Sequence, residues 1–85
     1  MKYLYAGSQS PQRFKLLLSL TRISSDDVLD ALEDHLVKGS TEINACLLNR
    51  VSKSNFSRAF SKLNDIACTI ERIKEIDLRV AKSVK

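Results

Sequence analysis

At 85 residues the chain holds one domain at most, because chains below about 100 residues rarely divide further. An apolar content of 44% supports a small core, and only two Gly and one Pro argue against a turn-rich all-β fold. The formal charge is +4, and no run approaches the roughly 18–20 apolar residues of a membrane span, which excludes a spanning protein.

Residues 1–9 read as a flexible N-terminal arm, too short in apolar content for a secretory signal. Residues 10–85 read as a single helical domain. Ser10-Pro11 is an N-cap followed by Pro at the first helical position, and Phe14, Leu17 and Leu18 follow at helical spacing. A first helix over about residues 11–20 results. Ser24 with Asp27 three residues later predicts a capping box, and Ile23 with Val28 a hydrophobic staple. Val28, Leu29, Leu32 and Leu36 form the apolar stripe of this second helix, and Gly39 supplies its left-handed stop. Ser40 is expected to cap a short third helix over about residues 41–48, with Ile43 and Cys46 or Leu47 on its apolar side. Asn49 is suited to the left-handed conformation that ends it.

Ser52 caps the fourth helix, which carries Phe56, Phe60 and Leu63 on one side. Ser54, Asn55, Arg58, Ser61 and Lys62 fall on the opposite arc at about 100° per residue. Beyond it, Leu63, Ile66, Ile70, Ile73, Val80 and Val84 step by three and four, with Asp77 interrupting the seam. Either Asn64-Asp65 breaks the helix, or one long helix serves recognition and pairing. The reading favours a break, with a separate C-terminal helix over about residues 66–83. Ile66, Ile70, Ile73 and Val80 are its candidate dimerisation residues, against the alternative that the seam is buried within one protomer. A chain this short buries a modest core, so self-association is a natural source of added stability.

The third and fourth helices have the pattern of a helix-turn-helix over about residues 41–63. Ala45 is the small residue where two helices cross, Leu48 the apolar residue one turn later, Asn49 the turn residue and Phe56 the inward position of the second helix. The Arg50-Val51 corner is one residue longer than in the tightest turns. Charge follows the same division. Residues 23–37 carry five acids and no Lys or Arg, whereas residues 50–62 carry Arg50, Lys53, Arg58 and Lys62 and no acid. One basic face points to a docking surface for a polyanion rather than to loose affinity all round. The candidate DNA-binding residues are Arg50, Ser52, Lys53, Ser54, Asn55, Ser57, Arg58, Ser61 and Lys62. Four phosphate contacts would give a salt slope of about −3.6 per protomer, near −7 for a dimer.

The chemistry of an enzyme is missing. His35 is the lone histidine, and there is no nucleophile pairing, metal-ligand spacing or Gly-rich phosphate loop. Cys46 and Cys68 form no CxxC pair and read as free core thiols suited to a reducing cytoplasm. No metal, cofactor, membrane or small-molecule ligand is implied. The expectation is an all-α domain of four or five helices that binds double-stranded DNA. The rival is a helical adaptor that grips a protein partner through the C-terminal seam.

Ile23-Ser24-Ser25 before Val28-Leu29, the Leu36-Val37-Lys38-Gly39 helix end, and residues 51–57 (Val-Ser-Lys-Ser-Asn-Phe-Ser) together resemble the PapB-type regulators of bacterial fimbrial and adhesin operons. The resemblance covers about residues 14–63, most tellingly the Phe56-Ser57 pair and Leu63, with one extra residue around Asn49-Arg50. It implies a sequence-specific regulator of adhesin transcription, acting on AT-rich upstream DNA as a homodimer or higher oligomer. It also implies minor-groove contacts. Base readout by Asn55 and Arg58 in the major groove therefore stands beside Arg50 or Lys53 reaching a narrow minor groove.

Overall fold

The computed structural model describes residues 3–83, with side chains to residue 79. Four helices and no strand occur among the described residues: α1 Pro11–Ser19, α2 Asp26–Leu36, α3 Glu42–Asn49 and α4 Lys53–Ser83. α1 begins as the sequence indicates. Ser10 accepts the Arg13 amide and Pro11 occupies the first helical position, where its missing N–H costs nothing. α2 starts one residue later than expected. Its N-cap is Ser25, not Ser24, and no side-chain hydrogen bond closes the cap, so the capping box does not form, although Ile23 packs against the core that contains Val28. Gly39 does take a left-handed φ of 86° after α2. α3 is likewise shifted by one residue: Thr41 rather than Ser40 is its cap, accepting the Asn44 amide at 3.2 Å.

The core gathers one face from every helix: Phe14 and Leu17 of α1, Val28, Ala31, Leu32 and Leu36 of α2, Ala45 of α3, and Phe56, Ala59, Leu63 and Ala67 of α4. α3 contributes Ala45, fully buried, because the helices cross there without room for a larger side chain. Ile43 and Leu47, expected on the apolar side, are 66% and 72% exposed, and Leu48 points outward as well. The half-buried Cys46 packs against the core instead.

Two larger differences lie at the ends of the chain. Residues 3–9 are docked rather than free. Gly7 donates its amide to the His35 carbonyl at 2.9 Å, and Gln9 donates to the Leu36 carbonyl at 3.0 Å. These are last-turn carbonyls of α2 that lack partners within the helix. Leu4 fills the core beside them at 1% exposure. The second difference is that α4 runs unbroken for 31 residues, through Asn64-Asp65. At about 1.5 Å per residue it is roughly 46 Å long, which gives the molecule its 53 Å long axis against 22 Å for the others. Asn64 does not break the helix because its side chain is engaged elsewhere. Its Oδ1 accepts the Tyr3 and Leu4 amides at 2.8 and 3.3 Å and does not compete for α4's own backbone.

Candidate nucleic-acid interface

The corner between α3 and α4 is three residues long. Arg50 takes the left-handed conformation (φ 54°, ψ 41°), the position expected for Asn49. Asn49 remains helical because its side chain is held by tertiary structure: Nδ2 donates to Asp34 Oδ2 and to the Ala45 carbonyl, each at 2.8 Å. The Val51 amide then returns to the Cys46 carbonyl at 3.0 Å. Ser52 starts α4 as expected, accepting the Asn55 amide at 3.1 Å.

α4 presents the remaining candidates in a definite arrangement. Phe56, Ala59 and Leu63 are buried and Phe60 is half-buried, so Lys53, Ser54, Asn55, Ser57, Arg58, Ser61 and Lys62 are left exposed. At about 100° per residue, Ser54, Arg58 and Ser61 point directly away from the core, and the others flank them. Ser57 and Ser61 border a small cleft with Glu42, Phe56 and Phe60. Asn55, Arg58 and Lys62 border another with Ile23, Ser24, Ser25 and Val28. Lys53 stands apart, beside an apolar groove along α3 lined by Ile43, Cys46, Leu47 and Val51. Arg58 donates to Asn55 Oδ1 one turn earlier, which directs its guanidinium along the helix. Arg50 and Ser52 are exposed at the corner. The candidate residues thus share one exposed surface, although they divide between two flanks of α4.

The support beneath this surface includes a group that sequence reading left unassigned. His35 of α2 is 5% exposed and packs between Phe56 and Phe60, with ring centroids at 5.8 and 5.9 Å. Its Nδ1 lies 2.6 Å from the Ser40 carbonyl, which can only accept, so Nδ1 carries the proton. Its Nε2 has no hydrogen-bond partner and stands 3.8 Å from Glu42 Oε1. Asp34, next along α2, is held below the usual carboxylate range by the Asn49 hydrogen bond, against the upward push of its burial, with Lys38 adding to the lowering. Burial, reinforced by Glu42, pushes the Cys46 thiol up. These groups fasten α2 to the corner and show no arrangement suited to catalysis. Among the described residues no cluster of ligand-type side chains fits a metal ion, and no helix is long and apolar enough to cross a membrane.

A family of adhesin biosynthesis transcription regulatory proteins, PapB, matches residues 1–76. The chain belongs to the PapB family. Membership makes it a transcription regulator and not an enzyme. Two Escherichia coli relatives are each 31% identical to it. The AFA-III adhesin operon regulatory protein aligns over 82% of this chain and 69% of its own length, and the F1845 adhesin operon regulatory protein over 80% of each. The crystal structure of E. coli FocB is similar to this PapB-family chain with a TM-score of 0.81 and 28% identity, covering 88% of this chain and 85% of that one. The all-α fold and the resemblance read from residues 14–63 are both upheld by these matches. The match also extends into residues 3–9 and beyond Leu63, where the sequence had indicated a loose arm and a separate helix.

Proposed function

We propose that the protein is a cytoplasmic DNA-binding regulator of a bacterial fimbrial or adhesin operon, using α3, the Arg50–Ser52 corner and α4 as a helix-turn-helix on AT-rich upstream DNA. The observation that carries this reading is the exposed arc of α4. Over residues 50–62, Arg50 at the corner, Lys53 on the α3 flank and Arg58 and Lys62 on the α2 flank stand exposed with hydroxyl and amide side chains and no acid, around buried Phe56, Ala59 and Leu63. Such a surface offers cations for phosphates and polar groups for sugar or base edges. The relatives' names as adhesin operon regulators support the target class.

Two copies act together in this reading, through the apolar side of α4 beyond the core. Leu63 is buried within the protomer, Ile66 and Ile70 are half-covered, and Ile73 is 52% exposed; the Val80 side chain lies outside the described residues. Leu16 of α1 and Leu20 at its C-cap widen this surface. Its charges suit a second copy of the chain: Arg13 borders one end, beside a Lys74 already paired with Glu71 at 3.3 Å, and Asp65 borders the other. An antiparallel two-fold pairing brings each cationic end against the partner's acid.

Footprinting on adhesin promoters at 50 and 200 mM salt tests the whole reading. Protection of an AT-rich upstream segment, with a steep loss of affinity as salt rises, is the expected result. Replacing Arg58 and Lys62 by Ala should flatten the slope by about 0.9 per protomer for a shared phosphate and about 1.8 for separate ones, and leave the helical circular dichroism unchanged. The adaptor alternative leaves the basic arc unused and predicts equal DNA affinity for parent and double variant.

A further inference from the structure

The exposed arc does not end at α4. On the flank that carries Asn55, Arg58 and Lys62, an open cleft of about 330 Å³ separates α4 from the segment entering α2. Its far wall is Ser24 and Ser25, and Ile23, Val28 and Ala59 form the remaining lining. Ser25 is the N-cap of α2, yet its hydroxyl makes no capping bond and stays exposed to the cleft. Asp26 and Asp27 follow directly but do not line it. Two cations on one wall therefore face two hydroxyls on the other, with no carboxylate among the lining residues.

This combination matches an anion with several acceptor oxygens. Arg and Lys supply charge to a phosphate, and Ser hydroxyls are common donors to phosphate oxygens in DNA complexes. We propose that the cleft seats one phosphodiester of the duplex backbone, gripped by Arg58 and Lys62 from α4 and by Ser24 and Ser25 from the start of α2. The inference rests on the DNA-binding reading above and adds a second element to it. With the backbone clamped between α2 and α4, the strand's position is fixed relative to the outward Ser54 and Ser61.

The two walls leave different marks on binding. Removing Arg58 and Lys62 lowers the salt slope by about 0.9 for each phosphate left unneutralised, whereas neutral hydroxyls release no counterions. The Ser24→Ala/Ser25→Ala double variant should therefore bind the footprinted promoter duplex about tenfold more weakly at every salt concentration. Its slope should equal that of the parent. Ser24→Thr/Ser25→Thr, which keeps both hydroxyls, should recover affinity to within about threefold, and thermal melts of both variants report the integrity of α2. A duplex with a single neutral methylphosphonate, moved stepwise through the site, locates the contact. At one position the parent should lose more affinity than the alanine variant, which has only its Arg58 and Lys62 contacts to that phosphate left to lose.

Parent-like affinity of a folded alanine variant, or additive losses at every methylphosphonate position, overturns the inference and leaves the arc reading intact. Stabilisation of the parent by millimolar inorganic phosphate, lost in the alanine variant without any change in DNA affinity, also overturns it, because the cleft then holds a free anion. A parent that shows no salt-steep DNA binding removes the arc reading itself.

Discussion

Asn49 at the end of α3 donates its side-chain amide to Asp34 of α2 at 2.8 Å, tying together the two helices that meet behind the corner. The bond holds the Asp34 carboxyl below its ordinary range. A depressed folded value means that the interaction stabilises the protein above the unfolded carboxylate value, about 3.9. That contribution is lost as pH falls through the lower folded value. Asn49→Ala should cost about 1–2 kcal/mol at neutral pH. In urea titrations the gap between parent and variant should narrow as pH falls below the unfolded carboxylate value and through the lower folded one. A gap that stays constant with pH would show that the charged form of Asp34 is not what Asn49 supports.

The docked N-terminal segment gives a second expectation. Leu4 sits in the core and Tyr3 and Leu4 cross to Asn64 of α4, so this segment belongs to the cooperative unit. Leu4→Ala should destabilise the protein by about 2–4 kcal/mol, as for other buried Leu truncations. Hydrogen exchange should protect the Gly7 and Gln9 amides, which donate to the end of α2. Rapid exchange at both amides, with no loss of stability in the variant, would restore the picture of a loose arm.

These residues also show where sequence reading stopped. Signals confined to a few neighbouring positions were legible: the Ser10-Pro11 start, the Gly39 stop, the Ser52 cap and the alternation of Phe56 and Leu63 with polar residues all occur as read. The differences at Asn49, Asn64 and residues 3–9 share one physical cause, a tertiary partner that no local pattern announces. Asn49 suits the left-handed turn until Asp34 holds it in the helix, leaving Arg50 to take that conformation. Asn64 suits a break until the Tyr3 and Leu4 amides occupy it. Residues 3–9 carry no helical periodicity because their partners are carbonyls at the end of α2, which no local pattern announces. The basic arc was legible from charge alone. Ser24 and Ser25 read as capping residues, and only the packing of α2 beside α4 places them opposite Arg58 and Lys62.

His35 illustrates how far the packing under the arc is specified. Its ring spans the gap between the Ser40 carbonyl and the two phenylalanines of α4. His35→Ala should cost about 2–4 kcal/mol through the cavity and the buried acceptor left behind. Long-range nitrogen–proton NMR of the neutral ring should find the proton on Nδ1. A proton on Nε2 would contradict the contact with Ser40.

The surface proposed for a second copy makes its own demand. Ile73 is half-exposed and lies on α4 beyond the buried Leu63 and Ala67, so a charge there should leave the protomer folded. Ile73→Asp should shift the sedimentation of the protein towards the monomer, with little change in melting at low concentration. DNA binding should lose roughly half of its salt slope if the paired form is the one that binds. A parent that sediments as a monomer at high micromolar concentration would remove this surface from the proposal.

Arg50 separates stability from function. It is the one non-glycine residue with positive φ among the described residues, and the left-handed conformation costs an L-residue about 1–2 kcal/mol. Glycine removes that strain but loses about 0.5–1 kcal/mol of backbone entropy on folding. Arg50→Gly should therefore fold at least as stably as the parent, with a gain of up to about 1.5 kcal/mol. The same change removes one cation from the corner, so DNA affinity should fall and the salt slope should decrease by about 0.9 per protomer. Arg50→Lys keeps both the charge and the strain and should change neither property strongly. If the glycine variant gains stability and keeps the full slope, Arg50 serves the turn alone. If it loses slope while remaining stable, a cation has been retained at a position where the backbone favours glycine, and the strain at the corner is explained by the contact it delivers.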